Sequence, residues 1–324
     1  MRLFRWIFRI LQPISPRTAA WLAERLFFTA RRTRLSPQAR ALLATGRRFT
    51  VEVEGRHVAG WRWGADGAEQ PFVVLVHGWG SRGARLAGFV EPLRSAGFGV
   101  VTYDALGQGD SARGMTSMPE FARSLMAVVA REGRGAAPHA IIAHSMGCAG
   151  TTLALSWGLN AGRLVFLAPA ADPPAWVRPF ARQLGLRDDV LELVRARSQR
   201  RLRVRWSDLN VCDLARALPA RPPLLIVHDQ ADDTVRWQDG SAIAEAWPGS
   251  RLVTTQGLGH RGVTSDASVL RAALGFVAGN QPLEHERLEH ELFHRHERSF
   301  LGFMPVVDET SPTRTARGPT TPGR

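Results

Sequence analysis

Hydrophobic and polar positions alternate along the middle of the chain in a pattern that predicts strands separated by helices. Short apolar segments predict eight strands, at residues 49–54, 57–63, 72–77, 99–103, 139–143, 163–168, 224–228 and 251–255. Apolar residues recur at helical spacing at 85–96, 118–131, 147–159, 240–246 and 266–277. A leading hairpin followed by this alternation predicts the α/β class, with a doubly wound, mostly parallel eight-stranded sheet covered by helices on both faces.

The first 47 residues form a basic segment in which two helices are predicted. In residues 1–12, Leu3, Ile7 and Ile10 recur at helical spacing, arginines occupy a different arc, and prolines at 13 and 16 are expected to end the helix. A second helix is predicted at 18–30. Two interpretations remain open: the first helix lies on an anionic membrane surface, or both helices pack on the domain behind them.

Two further segments interrupt the alternation of strands and helices, which places the central domain at residues 48–280. Residues 172–218 predict an insertion of two or three helices where a single crossover would be enough. Residues 281–324 predict a charged helix followed by a disordered tail rich in proline, threonine and arginine. The four histidines at 285, 290, 294 and 296 fit a solvated helix face better than a metal site.

Composition limits the functional classes that need to be considered. The chain has 324 residues, of which 44% are hydrophobic and 22% are charged, and it has no run of 18 apolar residues. Two cysteines, Cys148 and Cys212, exclude a disulfide scaffold and a multi-cysteine metal site. A reducing, cytoplasmic location is therefore expected, with association to a membrane left open.

The formal charge of +13 comes mostly from one end of the chain. Every basic residue is arginine, and the first 48 residues hold eleven arginines but a single acid, Glu24. A nucleic-acid-binding protein needs its basic patch on the folded domain, and most of the excess charge lies outside the predicted one. Nucleic acid is therefore not expected as a partner.

One serine lies where a strand is predicted to turn sharply into a helix. The segment Ala143-His144-Ser145-Met146-Gly147 follows an apolar strand and begins a helical stretch. Small residues at both ends let the strand and the helix approach each other, while the strained turn exposes the central hydroxyl. This short pattern also occurs by chance in serines that only cap a helix, so other residues must support a catalytic role.

The loop after the third predicted strand provides that support. His77-Gly78-Trp79-Gly80 is a flexible turn that can direct a backbone N–H toward the serine. The N–H groups of Trp79 and Met146 would together form an oxyanion hole. A phosphate-binding loop is disfavoured because no Gly-Lys-Ser/Thr sequence follows.

An activated serine also needs a base and a carboxylate that orients the base. His260 lies on a loop framed by glycines after the eighth predicted strand, and three acids, Asp229, Asp232 and Asp233, follow the seventh. The carboxyl ends of parallel strands meet at one crevice, so these groups are expected to meet Ser145 there. The pattern leaves open which carboxylate orients His260.

With these motifs in this order, the chain resembles the α/β-hydrolase-fold serine hydrolases, of the esterase and lipase type, over about residues 50–280. The resemblance implies that Ser145 is the nucleophile, His260 the base and Asp232 the acid, because Asp232 keeps the family's spacing to a following valine. Some members place the acid after the sixth strand, where Asp172 lies. The resemblance also implies a structural role for Asp104 and a lid at 172–218.

The expected activity is hydrolysis of a carboxylic ester, or of a related thioester or amide, through an acyl-enzyme. The expected substrate is a small molecule with an apolar acyl group, and no metal or organic cofactor is expected. Two alternatives remain open. An acyltransferase would use the same residues with an alcohol in place of water, and a non-catalytic ligand-binding protein would usually lack one of the three catalytic residues.

Overall fold

The computed structural model describes residues 2–65 and 70–279. The predicted charged helix and tail at 281–324, with their histidines, therefore lie outside the described residues. None of the described helices is long and apolar enough to span a bilayer.

All eight predicted strands are present in a single sheet. They are β1 Arg47–Val53, β2 Arg56–Trp63, β3 Phe72–Val76, β4 Gly99–Tyr103, β5 Ala140–His144, β6 Arg163–Leu167, β7 Leu224–Asp229 and β8 Arg251–Thr255. Their order across the sheet is β1-β2-β4-β3-β5-β6-β7-β8. Strand β2 pairs antiparallel with both β1 and β4, and all other neighbours are parallel. The prediction of a doubly wound, mostly parallel sheet is confirmed.

Twelve α-helices are present in the described residues. They are α1 Arg2–Ile14, α2 Pro16–Phe27, α3 Pro37–Thr45, α4 Val90–Ser95, α5 Met118–Gly133, α6 Met146–Ser156, α7 Val177–Leu184, α8 Asp188–Leu202, α9 Val211–Ala217, α10 Trp237–Ala246, α11 Gly259–Gly262 and α12 Ala267–Ala278. The insertion contains α7, α8 and α9, together with the short 3-10 helices Pro173–Trp176 and Trp206–Leu209.

Some helices differ from the prediction. The helix expected at 85–96 is a 3-10 helix, Gly83–Phe89, followed by α4, because Leu86 has non-helical dihedral angles. Helix α1 continues through Pro13 to Ile14, two residues past the expected end. Helix α3 was not predicted, although Ser36 caps it by accepting a hydrogen bond from the Ala39 N–H, and proline follows the cap.

The sheet is buried on both faces, which explains why its central strands are continuously apolar. Helices α5, α6, α9 and α10 cover one face, and α3, α4 and α12 cover the other. The parallel strands β3, β5, β7 and β8 have their carboxyl ends at the same edge of the sheet, so the loops that follow these strands meet there.

The N-terminal helices pack on the insertion through a separate apolar cluster. Phe8 of α1 and Ala20 of α2 are fully buried against Leu184 of α7 and Val194 of α8. Buried Glu24 of α2 accepts hydrogen bonds from Arg197 and Arg201 of α8, each at 3.1 Å. The first two helices therefore pack against the rest of the chain, and the segment that they contact through this cluster is the insertion.

Candidate active site

Ser145 lies on the sharp turn between β5 and α6. Its dihedral angles, φ 55° and ψ −122°, fall outside the regions that non-glycine residues normally occupy. Helix α6 begins so close to β3 that a Cβ on Gly147 would lie 2.5 Å from the carbonyl oxygen of His77. Only glycine fits there, and this close approach explains why a glycine follows two residues after the serine.

The structure brings Ser145, His260 and Asp232 together in one hydrogen-bonded chain. The Oγ of Ser145 lies 3.0 Å from Nε2 of His260, and Nδ1 of His260 lies 2.7 Å from Oδ2 of Asp232. The acceptor at Nδ1 is a carboxylate, so Nδ1 carries the proton and Nε2 is free to accept one from the serine. The Asp232 side chain is completely buried, whereas the His260 side chain is 10% exposed.

Three further groups hold the Asp232 carboxylate. Its Oδ1 accepts hydrogen bonds from the N–H groups of Thr234 and Val235, both at 2.8 Å. Its Oδ2 lies 3.3 Å from Nε2 of His228, a histidine that the sequence did not single out. Burial alone would raise the pKa of Asp232, but the hydrogen bonds from His228, His260 and the Val235 N–H hold that pKa well below its ordinary value. The carboxylate is therefore ionised at neutral pH.

The other candidate acids do not contact His260. Asp172 lies at the start of the insertion and lines a different cavity, between the insertion helices. Asp233 is exposed and accepts a hydrogen bond from the Thr234 hydroxyl at 3.0 Å. Of the acids left open by the sequence, Asp232 alone among the described residues meets the imidazole.

Asp229 holds the loop that carries His260. Its buried carboxylate accepts hydrogen bonds from the Thr255 hydroxyl at 2.7 Å, from the Leu258 N–H at 3.0 Å and from the Ala231 N–H at 2.9 Å. Burial tends to raise the pKa of Asp229, and these hydrogen bonds outweigh it and lower the pKa overall. Asp229 thus ties the end of β7 to the loop after β8.

The loop after β3 lies against the serine. A Cβ on Gly78 would come within 2.9 Å of Cβ of Ser145, so the loop needs glycine at this point. Buried His77 fixes the loop, because its Nδ1 donates to the Gly78 carbonyl at 2.7 Å and its Nε2 accepts from the Ala105 N–H at 2.9 Å. Burial lowers the pKa of His77, which keeps the ring neutral for this double role.

Two backbone N–H groups in the segments next to the serine have no hydrogen-bond partner in the described residues. Within the described ranges, neither the N–H of Trp79 nor that of Met146 donates to another protein group. Both residues border the cavities next to Ser145. Their N–H groups are therefore free to donate a hydrogen bond.

Asp104 braces the neighbouring loop, as the resemblance implies. Its Oδ1 accepts from the N–H of Gly83 and its Oδ2 from the N–H of Asp110, both at 2.7 Å. The turn passes so close that any Cβ on Gly109 would overlap the Asp104 carboxylate. This carboxylate therefore fixes the turn after β4 and the start of the 3-10 helix at Gly83.

His144, the residue before the serine, contacts His260. Its ring lies 4.7 Å from the His260 ring, and its Nε2 donates to the His260 carbonyl at 2.9 Å. Burial, followed by the neighbouring His260, lowers the pKa of His144 well below the ordinary value, so it stays neutral. His144 therefore helps to fix the His260 backbone without adding charge.

Two cavities meet at Trp79 beside the serine. The first is apolar, has a volume of about 360 Å³ and lies between the N-terminal helices, the insertion and Met146. It is lined by aromatic and aliphatic side chains that include Phe4, Leu26, Phe27, Trp176, Phe180 and Leu209. The second is polar, has a volume of about 320 Å³ and contains Ser145 and His260.

Several groups line the polar cavity besides Ser145 and His260. Its walls include the arginines Arg34, Arg82, Arg85 and Arg261, with Asp233 as the carboxylate. Among the described residues, no group of three or more histidines, cysteines and acids could hold a metal ion.

Sequence comparison links part of the chain to one family. Residues 67–219 match the model of the family described as serine aminopeptidase, S33. This range includes Trp79 and Ser145 but ends before Asp232. A search of curated protein sequences found no match.

Solved structures resemble most of the chain. A hydrolase from Pseudomonas aeruginosa PA01 is 20% identical, with a TM-score of 0.55 over 72% of this chain and 99% of its own. A thermophilic esterase from Thermogutta terrifontis is 19% identical, with a TM-score of 0.55 over the same shares of the two chains. An esterase from Rhodococcus sp. is 17% identical, with a TM-score of 0.53 over 73% of this chain and 99% of its own. At these identities the likeness concerns the fold.

Proposed function

Since the chain has the α/β-hydrolase fold, we propose that it hydrolyses a carboxylic ester, or a related thioester, through an acyl-enzyme on Ser145. One observation carries the proposal: Ser145, His260 and Asp232 form a continuous hydrogen-bonded chain with separations of 3.0 and 2.7 Å. A serine that only capped a helix would need neither a histidine on its hydroxyl nor a buried carboxylate behind that histidine.

The proposed reaction begins when Oγ of Ser145 attacks the carbonyl carbon and its proton passes to Nε2 of His260. Asp232 stabilises the resulting imidazolium, and the N–H groups of Trp79 and Met146 bind the oxyanion. The tetrahedral intermediate then breaks the bond to the leaving group, which takes the proton from His260. A water molecule, deprotonated by His260, then attacks the acyl-serine. The second tetrahedral intermediate breaks its bond to Oγ of Ser145, which takes the proton back from His260 as the acid is released.

The apolar cavity is suited to the acyl group. It begins at Met146 and Trp79, next to the proposed oxyanion hole, and continues between aromatic side chains of α1, α2 and the insertion. In this arrangement the insertion takes the role of a lid, with Trp176 and Phe180 facing the substrate. An apolar chain in this cavity would be removed from water at a gain of about 0.8 kcal/mol per methylene group.

The polar cavity would receive the leaving group, and its charge favours a negative one. Four of its lining residues are arginines, and Nε of Arg82 is buried without a hydrogen-bond partner in the described residues. Burial, and then the charge of Arg261, lowers the pKa of Arg85, and both arginines line this cavity. A phosphate or carboxylate on the leaving group would offset these positive charges.

Labelling with a fluorophosphonate probe tests the nucleophile. The wild-type protein should become labelled, and Ser145→Ala should abolish labelling while keeping the far-UV circular dichroism spectrum and the unfolding midpoint of the wild type. Labelling that persists in the folded variant would rule out Ser145. A screen of p-nitrophenyl esters of increasing chain length should then define the acyl group.

Transfer to an alcohol is the second candidate, since the same acyl-enzyme could react with either acceptor. Product analysis with an added alcohol separates the two, because an acyltransferase would form the new ester at the expense of the free acid. An amide substrate is tested with p-nitroanilides, in view of the family match to a serine aminopeptidase. A folded protein that neither hydrolyses these substrates nor takes up the fluorophosphonate would be a binding protein.

A further inference from the structure

Large exposed hydrophobic side chains are concentrated at one place in the described part of the chain. On α1, Leu3 is 67% exposed, Trp6 63% and Ile14 74%, with Ile10 also exposed. Trp21 on the adjacent α2 is exposed as well. Isolated exposed apolar residues are ordinary, but a contiguous group of this kind marks an interaction surface.

The exposed residues of α1 form one face of the helix. Leu3, Trp6, Ile10 and Ile14 follow one another at spacings of three and four residues, so they lie on the same side. Phe8, which is fully buried, lies on another side and packs against α2 and the insertion. Helix α1 therefore has two apolar faces, and folding uses only one of them.

Arginines of α1 and α2 lie beside this exposed face. Arg5 and Arg9 on α1 and Arg17 and Arg25 on α2 are all exposed, and none of the four forms a salt bridge within the described residues. The guanidinium of Arg25 lies 5.3 Å from the centre of the Trp21 ring. The one acid of this region, Glu24, is buried and already paired with α8. The positive charge around the face is thus left uncompensated.

We propose that the surface formed by Leu3, Trp6, Ile10, Ile14 and Trp21 docks on an anionic lipid bilayer, with α1 lying parallel to the membrane. A helix of 13 residues is about 20 Å long, which is too short to cross a hydrocarbon core of about 30 Å. Apolar residues with a tryptophan on one face and arginines beside them are typical of helices that lie in the interface.

Charge argues against a second copy of this chain as the occupant. A symmetric dimer places the same patch of each copy against the other, so the arginines around one face would meet those around its mate. An anionic membrane supplies the opposite charge to every one of them. Each arginine near such a surface strengthens binding about fivefold at physiological salt.

Docking would also bring the bilayer close to the apolar cavity. Phe4, on the buried side of α1, lines that cavity together with Leu26 and Phe27 of α2. One helix would therefore separate the lipid from the acyl group's site, and apolar substrates dissolved in the bilayer would have a short path to it. This consequence rests on the proposed function, whereas the docking itself does not.

Vesicle flotation with the full-length protein tests the proposal, because it requires no catalytic activity. The protein should float with vesicles of equal parts phosphatidylcholine and phosphatidylserine, and much less with pure phosphatidylcholine. Raising the salt to 1 M shortens the Debye length to about 3 Å and should weaken the binding. The variant Trp6→Ser/Ile14→Ser should bind at least about tenfold more weakly, and Arg5→Gln/Arg9→Gln should lose most of the dependence on phosphatidylserine.

Trp157→Ser is the matched control, since Trp157 is an exposed tryptophan that follows the last residue of α6 and belongs to neither α1 nor α2. It should bind vesicles like the wild type. Unchanged vesicle binding of Trp6→Ser/Ile14→Ser would overturn the proposal. The proposal would also be overturned if the wild type formed a dimer that this variant dissociates, with no binding to vesicles. A large fall in the unfolding midpoint of the variant would overturn it as well, because it would mean that the chain itself covers the face.

Discussion

Nε2 of His228 lies 3.3 Å from Oδ2 of Asp232, the same oxygen that accepts the hydrogen bond of His260 at 2.7 Å. Nε2 of His228 also lies 3.0 Å from the Val235 carbonyl oxygen. Both neighbours are acceptors, so this nitrogen carries the proton and shares it between them. Two imidazole rings thus donate to one carboxylate oxygen, and of the two only His260 also contacts the serine.

Removing His228 should change how strongly Asp232 acts on the base. In His228→Leu, Oδ2 would keep His260 as its one imidazole donor, and a carboxylate with fewer donors stabilises an imidazolium more strongly. We expect the acid limb of the pH profile of kcat/KM to move to higher pH by about one unit, since a hydrogen bond of about 1 kcal/mol corresponds to roughly that shift. Hydrolysis of a p-nitrophenyl ester across the pH range measures it.

His228→Gln is the matched variant, because its amide can donate from a position close to that of Nε2. Its profile should lie between those of the wild type and His228→Leu. A purely structural role for His228 would instead lower the unfolding midpoint of both variants and leave the acid limb where it was.

The three aspartates near the ends of β6 and β7 should respond differently to conversion to asparagine. Asp232→Asn favours the wrong tautomer of His260, and the corresponding change in a well-studied triad costs about 10⁴ in kcat. Asp229→Asn puts an amide group opposite three donors, so it should destabilise the fold by about 1–3 kcal/mol with a smaller loss of kcat. Asp172→Asn should leave both properties almost unchanged.

Steady-state kinetics and urea unfolding of the three variants separate these outcomes. If Asp172→Asn proved the crippling change and Asp232→Asn were almost silent, the carboxylate that serves His260 would have to be reassigned to the end of β6.

The sequence predicts the sheet well because its strands are short, strongly apolar and separated by clear turns. The order of Ser145, Asp232 and His260 along the chain could be found because each follows the end of a predicted strand. His228 was missed for the opposite reason: a histidine at the end of an apolar strand has no local signal, and its partner became known only from the packing. The sequence also offered membrane contact and packing of α1 as alternatives, since helical spacing alone does not reveal two separate apolar faces.

The width of the apolar cavity should set the acyl chain length. Leu26 of α2 lines the cavity and is only partly buried, so a larger side chain can be placed there. For the wild type, kcat/KM should rise about fourfold per added methylene group until the cavity is full. Leu26→Trp should shorten the preferred chain while keeping activity on short esters, and Leu26→Ala should lengthen it. Equal chain-length profiles in all three proteins would mean that the acyl group binds elsewhere.

Two buried histidines should make stability depend on pH near neutrality. Burial lowers the pKa of His77 and of His144, and for His144 the neighbouring His260 lowers it further. Below an unfolded-state pKa of about 6.5 the unfolded chain therefore binds protons that the folded protein does not. The free energy of unfolding should fall as the pH is lowered from about 7 to 5, by up to about 1.4 kcal/mol per pH unit for each group.

Urea unfolding at several pH values measures this slope of the unfolding free energy against pH. The slope should be smaller in His144→Gln, whose amide can still donate to the His260 carbonyl. His57→Gln, at an exposed position, is the control and should keep the wild-type slope; an equal slope in His144→Gln would show that His144 is not among the groups responsible.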